Sequence, residues 1–166
     1  GNSHIGDWQG NRTWTVMSHL PIAYPVACGA ALAYKMRGQP RVAMAICGDG
    51  STSNGRWHEA LNVSAIFHMP IVWVVNNNQF AYSTPNTVEF PNKTIAERAS
   101  AYEMPGVRVD AKDVLDVYRV AHEAVERQGQ PGHHLVFDGR EVGPAQPVPD
   151  AGGMLAAHHA VVQHGD

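Results

Sequence analysis

The chain has 166 residues, of which 44% are hydrophobic and 16% charged, a composition typical of one globular domain rather than a disordered segment. The formal net charge of −3 gives no basis for nucleic-acid binding, and no apolar run approaches the length of a membrane span. The two cysteines lack metal-ligand spacing and no signal peptide is visible, so we expect an intracellular, cytoplasmic protein.

The beginning of the chain is predicted to be a loop that leads into a helix. Residues 1–15 are polar and rich in glycine, and they include His4. Small residues from Ala27 to Met36 favour a helix, and Gly38 is placed to end it as the residue after the C-cap. Ser18 and Leu20 fall in the turn that precedes this helix.

The central stretch is predicted to form a strand–helix–strand unit. Val42–Cys47 and Ile71–Val75 are short, continuous apolar runs, which are typical of strands buried on both faces of a parallel sheet. A parallel connection needs a crossover, which Gly55–His68 supplies as a helix that ends before Pro70.

Further strands and helices alternate after this unit. We predict a loop at Gln79–Asn92 and then a helix at Thr94–Tyr102, capped by Thr94. A strand follows at Val107–Val109. The next helix starts at Asp113, with an apolar face from Val114 to Val125, and the last strand is predicted at His134–Phe137. Alternation of this kind predicts an α/β fold with a doubly wound, mostly parallel sheet. The remaining residues, 139–166, are rich in proline and glycine, with a possible short helix at 154–164.

Oxygen-bearing side chains follow both central strands. Asp49 and Asn78 are 29 positions apart, about one loop, one helix and one strand, so their strand ends can meet at one edge of the sheet. Mg²⁺ prefers oxygen ligands and is commonly shared with phosphates. Asp49 offers a carboxylate, Asn78 an amide oxygen and Phe80 a backbone carbonyl, which predicts a magnesium site.

The turn around Asp49 also suits an anion. Gly48 and Gly50 allow the backbone to approach a ligand closely, and the amides of Gly50 and Ser51 lie at the mouth of a helix. We therefore expect this turn to hold a diphosphate through the metal ion.

These residues carry a resemblance to a known family. Gly48-Asp49-Gly50, followed at this distance by paired asparagines, resembles the thiamine diphosphate motif. The segments GDGSTSNGRWHEALN, NNNQFAYSTP, KTIAERASAY and PGVRVDAKDVLDVY are similar, in order and spacing, to the α subunit of the E1 component of 2-oxo acid dehydrogenases. The resemblance covers roughly residues 18–138 and is highly specific, because several separate blocks match.

The resemblance implies a thiamine diphosphate-binding fold at residues 1–138, with thiamine diphosphate and Mg²⁺ as cofactors. It implies that Ser18 and Leu20 contact the aminopyrimidine ring and that His4 lies near the active site as a candidate catalytic residue. On sequence alone, His4 is equally typical of a surface loop. The reaction implied is decarboxylation of a 2-oxo acid and acyl transfer to a lipoyl group.

The resemblance also implies that catalysis needs a second chain. In the family the activating glutamate comes from a β-type partner, so we expect a β-type E1 subunit or self-association. The match weakens after Asp138: the family carries Gly-Pro-His where this chain has Gly143-Pro144-Ala145. An α-type subunit shortened at both ends, an inactive cofactor-binding or protein-interaction module, and a folded remnant without function all fit the sequence.

Overall fold

The computed structural model describes residues 6, 7, 9, 10, 12–14 and 19–127 in full and the backbone of residues 135–138. The α-helices are α1 (Ala23–Met36), α2 (Gly55–Ile66) and α3 (Val114–Arg127). The strands are β1 (Ala43–Gly48), β2 (Ile71–Asn76), β3 (Phe80–Ala81), β4 (Thr84–Pro85), β5 (Gly106–Val107) and β6 (Leu135–Asp138). Shorter 3-10 helices span Asp49–Ser53, Asn86–Val88 and Ile95–Tyr102.

The main sheet is parallel at every pairing in the described part of the chain. Its strand order is β1-β2-β6-β5, and β3 pairs with β4 in a separate antiparallel hairpin. In the β1–β2 register, Gly48 lies opposite Asn76, so both strands end at the same edge. The predicted β-α-β unit is therefore confirmed.

Helices cover both faces of the sheet. Residues Ile71, Trp73 and Val75 of β2 pack with α1 and α2, in a core that includes Tyr24, Cys28, Trp57 and Leu61. The alternate residue Val72 packs on the other face with Val120 and Ala124 of α3. Because successive side chains of a strand point to opposite faces, this arrangement confirms the doubly wound α/β fold.

The ends of α2 have identifiable causes. Asn54 caps the start, where its Oδ1 accepts a hydrogen bond from the Arg56 amide at 3.0 Å. The helix ends at Ile66, earlier than predicted, because His68 adopts a left-handed φ of 44° ahead of Pro70. The predicted Thr94 cap is also present: its hydroxyl oxygen accepts from the Glu97 amide, although the helix that follows is 3-10 rather than α.

Several boundaries differ from the prediction. The first helix begins at Ala23 rather than Ala27, which adds a turn and places Tyr24 in the core, and its Gly38 has the expected positive φ of 60°. The strand predicted at Val107–Val109 lies at Gly106–Val107, and the last strand lies at Leu135–Asp138. In α3, Val120 and Ala124 are buried, whereas Val114 at the helix start is 73% exposed.

Burial of β1 on both faces was a wrong prediction. Ala43, Ala45 and Cys47 are buried, but Met44 and Ile46 on the other face are 47% and 60% exposed. The strand lies at the end of the strand order, with a neighbour on one side only among the described residues. An apolar run predicts a strand, but it does not show whether one or both faces of that strand are covered by other elements.

The 154–164 helix and the Gly143-Pro144-Ala145 segment lie outside the described residues. No helix in the described part of the chain has the length and apolar character needed to cross a bilayer.

Candidate functional site

The candidate site lies where β1 and β2 end. Directly after Gly48, the chain turns into the 3-10 helix Asp49–Ser53, whose first residue is only 3% exposed. The β2 strand ends opposite, at Asn76, and leads into Asn77 and Asn78. Parallel strand ends at one edge thus bring the Asp49 turn and the asparagine segment together, as the sequence predicted.

The carboxylate of Asp49 is held in a buried environment without a full set of partners. Burial raises the pKa of Asp49; interactions with its own backbone amide and that of Gly50 oppose this, and the negative charge of Glu89 adds to it. The Oδ2 atom is buried and has no hydrogen-bond partner among the described residues. A buried, unpartnered carboxylate oxygen is costly, so it indicates a place for a ligand.

Two side chains, Thr52 and Arg98, hold the Asp49 turn in place through hydrogen bonds. The Thr52 hydroxyl, which is fully buried, donates to the Asp49 carbonyl at 2.7 Å. The Arg98 guanidinium donates to the Thr52 carbonyl at 3.0 Å and to its hydroxyl at 3.2 Å, and lies 4.5 Å over the Phe90 ring. The backbone that carries Asp49 is therefore fixed from the Ile95–Tyr102 helix.

A hairpin packs against the turn that carries Asp49. Gln79–Asn92, predicted to be a loop, contains strands β3 and β4, joined through Tyr82, whose φ is 55°. A Cβ atom at Gly50 would lie 2.5 Å from the Cβ of Ala81, so only glycine fits between the turn and the hairpin. At Gly48 a Cβ would meet nothing closer than 4.0 Å, so its predicted close approach involves no part of the described chain.

The asparagines after β2 shape their own loop. Asn77 is buried, and its Oδ1 accepts from the Gln79 amide at 2.9 Å and from Asn86 Nδ2 at 3.3 Å. Asn78 is exposed, and its Oδ1 accepts from the Phe80 amide at 2.9 Å. A carbonyl oxygen has two lone pairs, so Asn78 keeps one for a cation.

The residues present fit a hard cation. Three buried oxygens lack a partner within the described part: Asp49 Oδ2, Asn76 Oδ1 and Glu89 Oε2. The donor set is all oxygen, which suits Mg²⁺ rather than a soft metal. The described residues contain no group of three His, Cys, Asp or Glu side chains able to hold a metal, so the ion would share protein and non-protein ligands.

Comparison with known proteins assigns the chain to a family. The family model described as "Dehydrogenase E1 component" matches residues 2–138, most of the chain. The chain belongs to the dehydrogenase E1 component family.

Relatives within this E1 family differ in substrate. The chain is 43% identical over 104 residues to the α subunit of acetoin:2,6-dichlorophenolindophenol oxidoreductase of Bacillus subtilis, covering 63% of the chain and 31% of that protein. It is 41% identical over 128 residues to the 3-methyl-2-oxobutanoate dehydrogenase α subunit of Mycobacterium tuberculosis, covering 74% and 35%. The pyruvate dehydrogenase E1 α subunit of Staphylococcus aureus is 39% identical over 104 residues, covering 63% and 28%. The chain thus spans about a third of the length of these relatives.

The E1 chain places its predicted site residues unevenly. Gly48, Asp49, Gly50, Ser51, Asn78 and Phe80 all lie at the shared strand edge. Leu20 is 59% exposed in the turn before α1, whereas His4 and Ser18 lie outside the described residues. The contacts that these residues make with a cofactor stay predictions.

Two residues at the edge were missed by sequence reasoning. Asn76 stands one position before the recognised pair, and Glu89 stands in a stretch predicted to be a loop. The run of three asparagines at the end of β2 was a signal that could have pointed to Asn76. An isolated acidic residue between prolines gave none for the second.

A polar cleft of about 600 Å³ opens beside the candidate site, lined by residues that include Ser53, His58, Glu89, Asn92, Arg98 and Tyr102. His58 Nδ1 and the Tyr102 hydroxyl lie 2.6 Å apart. Burial, assisted by the charge of Arg98, lowers the pKa of His58, and burial raises the pKa of Tyr102. Both shifts favour a neutral pair in which the tyrosine donates to the imidazole.

Proposed function

We propose that this chain is the diphosphate- and Mg²⁺-binding half of a thiamine diphosphate-dependent 2-oxo acid dehydrogenase of the E1 α type. The observation that supports it most directly is the Asp49 carboxylate, 3% exposed at the end of β1, with an unpartnered Oδ2 atom. In an E1 family member, a cation that Asp49 would hold together with a diphosphate would explain why the carboxylate is buried there.

Each residue at the edge has a task in this proposal. Asp49, Asn78 Oδ1 and the Phe80 carbonyl hold Mg²⁺, while the amides of Gly50 and Ser51 face the diphosphate. Thiamine diphosphate, when bound, supplies the carbon that attacks the 2-oxo acid and allows loss of CO₂. The protein's own contribution here is to bind and orient, so the reacting end depends on Ser18, Leu20 and His4 and on a partner.

A second chain completes the proposed enzyme. Among the described residues of the site, no glutamate matches the family residue that activates the cofactor. We infer that a β-type E1 subunit provides this glutamate. Exposed apolar side chains support association: Met44 and Ile46 form one uncovered face of β1. We expect a complex with a β-type chain, or self-association at high concentration. A chain that stays monomeric by sedimentation velocity, alone and with such a subunit, contradicts this part.

An inactive cofactor-binding or protein-interaction module is the alternative function. A module of this kind needs only the oxygen-lined strand edge, where Asp49 Oδ2 is buried without a hydrogen-bond partner among the described residues. Assays of 2-oxo acid decarboxylation and of acetoin oxidation, each after co-expression with a β-type subunit, separate the two. Turnover of pyruvate, a branched-chain 2-oxo acid or acetoin identifies an enzyme and its substrate, and cofactor binding without turnover identifies the module.

Calorimetric titration with thiamine diphosphate, with and without Mg²⁺, tests the proposed site. We expect binding that requires the metal and that Asp49→Asn weakens at least about 100-fold, because an amide replaces the charged ligand. The matched control is Asp116→Asn on the outer face of α3, where Asp116 pairs with Arg119, and it should bind like the wild type. Wild-type affinity in Asp49→Asn, with unchanged circular dichroism, contradicts the assigned role.

A further inference from the structure

Glu89 brings a second carboxylate to the edge that Asp49 occupies. Its Oε2 atom is buried without a hydrogen-bond partner among the described residues, and it lies 3.4 Å from the position of a Cβ atom on Gly50. The backbone holds it there, since the Glu89 amide donates to the Asn86 carbonyl at 3.1 Å and closes the short helix after the hairpin. Glu89 is therefore aimed at the Asp49 turn.

Two unpartnered carboxylate oxygens at one place repel each other. Each loses hydration when it is buried, and the proximity of two negative charges adds to this cost. Asp49 is only 3% exposed, so hydration cannot reduce the free-energy cost of its buried carboxylate. A divalent cation bound by the two side chains would offset the repulsion and give both carboxylate oxygens a partner.

The cation also has a way in. Glu89 lines the polar cleft of about 600 Å³ that also includes Ser53 and Asn92, so a cation can reach this residue from the cleft. A metal site needs such an entry path, together with a donor set that matches the ion. The oxygens of Asp49, Glu89 and Asn78 match a hard divalent cation.

We propose that Glu89 is a second carboxylate of the cation site, and that it allows the chain to bind a divalent cation before any diphosphate arrives. The inference rests on the proposed function, because it assigns a further ligand to the same site. With Asp49 as the single carboxylate, the metal would enter mainly as a complex with the diphosphate. With two carboxylates, the empty site has enough negative charge to hold the metal first, and the bound metal then attracts the diphosphate.

Mn²⁺ binding without diphosphate tests this order in the purified full chain. Electron paramagnetic resonance should show Mn²⁺ bound to the wild type alone, and Glu89→Gln should weaken that binding at least about tenfold while it preserves the shape of the side chain. Glu97→Gln is the matched control, because Glu97 lines the same cleft but is not among the buried unpartnered groups. It should leave the Mn²⁺ affinity unchanged.

A measurement on the wild type keeps the test independent of how the variant folds. Sub-stoichiometric Mn²⁺ should broaden the backbone amide signals of Asp49 and Glu89 in ¹⁵N-labelled protein, and leave that of Ala124, on the buried face of α3, sharp. Lack of Mn²⁺ binding by the wild type, equal affinity in Glu89→Gln, or broadening that spares Glu89 overturns the inference.

Thiamine diphosphate titrations on the same samples separate this inference from the proposed function. If Glu89→Gln binds Mn²⁺ like the wild type and both bind thiamine diphosphate with Mg²⁺, the inference fails and the proposed function stands. If Mn²⁺ binds through Glu89 but thiamine diphosphate does not bind with any metal, the inference stands and the proposed function fails.

Discussion

The hydroxyl of Tyr24 donates a hydrogen bond to the Val74 carbonyl oxygen across 3.1 Å, and thereby ties helix α1 to strand β2 inside the core. The Cys47 thiol donates to the same hydroxyl oxygen at 3.1 Å, so β1 joins the connection. The ring packs against Trp73 at a tilt of 38°, with centroids 4.5 Å apart. One fully buried tyrosine thus links the helix to both strands that carry the candidate site.

Tyr24→Phe should lower the free energy of unfolding by about 1–3 kcal/mol, because the ring still packs but buried polar groups lose their partner. Chemical denaturation measures the change. Tyr34→Phe on the same helix is the control; its partly exposed ring lies under Arg41, and it should change stability by less than about 0.5 kcal/mol. Equal effects of the two substitutions contradict the assigned role of the Tyr24 hydroxyl.

Arg98→Leu should destabilise the fold by about 2–3 kcal/mol and weaken Mg²⁺-dependent thiamine diphosphate binding about tenfold. The substitution removes both hydrogen bonds to Thr52 and the stacking on Phe90, which frees the turn that carries Asp49. Denaturation and calorimetry give the two numbers.

The control for Arg98 is Arg119, an arginine that forms ion pairs at the surface. Arg119 on α3 pairs with Asp116 and Glu123 at the surface, so Arg119→Leu should cost less than about 1 kcal/mol and leave cofactor binding unchanged. Arg98→Leu that loses stability but keeps full cofactor affinity would show that the brace does not serve the site.

Gly50→Ala should abolish measurable cofactor binding and destabilise the fold, since its Cβ would lie 2.5 Å from the Cβ of Ala81 and push the hairpin away from the turn. Calorimetry and thermal unfolding report the two effects. The control is Gly29→Ala in helix α1, where a new Cβ meets nothing within 4 Å; it should stabilise by about 0.5–1 kcal/mol. Normal binding by Gly50→Ala would show that the hairpin is not part of the site.

Stability should fall at alkaline pH through Cys28. Burial raises the pKa of its thiol from 9.0 to about 11, so the folded chain keeps a proton that the unfolded chain releases. Its contribution is complete below pH 9 and is lost as the pH rises toward about 11, with a slope of about 1.4 kcal/mol per pH unit.

Denaturation curves at pH 8, 9 and 10 measure the effect of Cys28. The Cys28→Ala variant should show a shallower decline over the same range, whatever its stability at pH 8. Parallel declines in the two proteins would place the alkaline loss on other groups.

The central unit of the fold could be predicted because its signals are local. Two apolar runs and Pro70 fix strands and helix within one stretch, and parallel pairing follows from the crossover. The position of Asp49 at the strand edge follows from the same elements. The covering of β1 could not be predicted, because Met44 and Ile46 look the same in sequence whether a layer covers them or not.

The hairpin and Glu89 escaped prediction for a different reason. Strands of two residues, such as Phe80–Ala81, are too short to show alternation. The place of Glu89 depends on how that hairpin folds against Gly50, which is a contact between segments distant in sequence. A contact of this kind leaves no periodic pattern around the residue itself.

The strand order has a consequence for synthesis of the chain. Among the described strands, β6 is the last to be made, yet it pairs with both β2 and β5. A nascent chain that ends before Leu135 can form the β1–β2 pair with Asp49 and the asparagine segment at its edge, but β5 has no neighbour in the sheet until β6 arrives. The edge that carries Asp49 is thus the first part of the described sheet to be complete on the ribosome, and the α3 side is completed last.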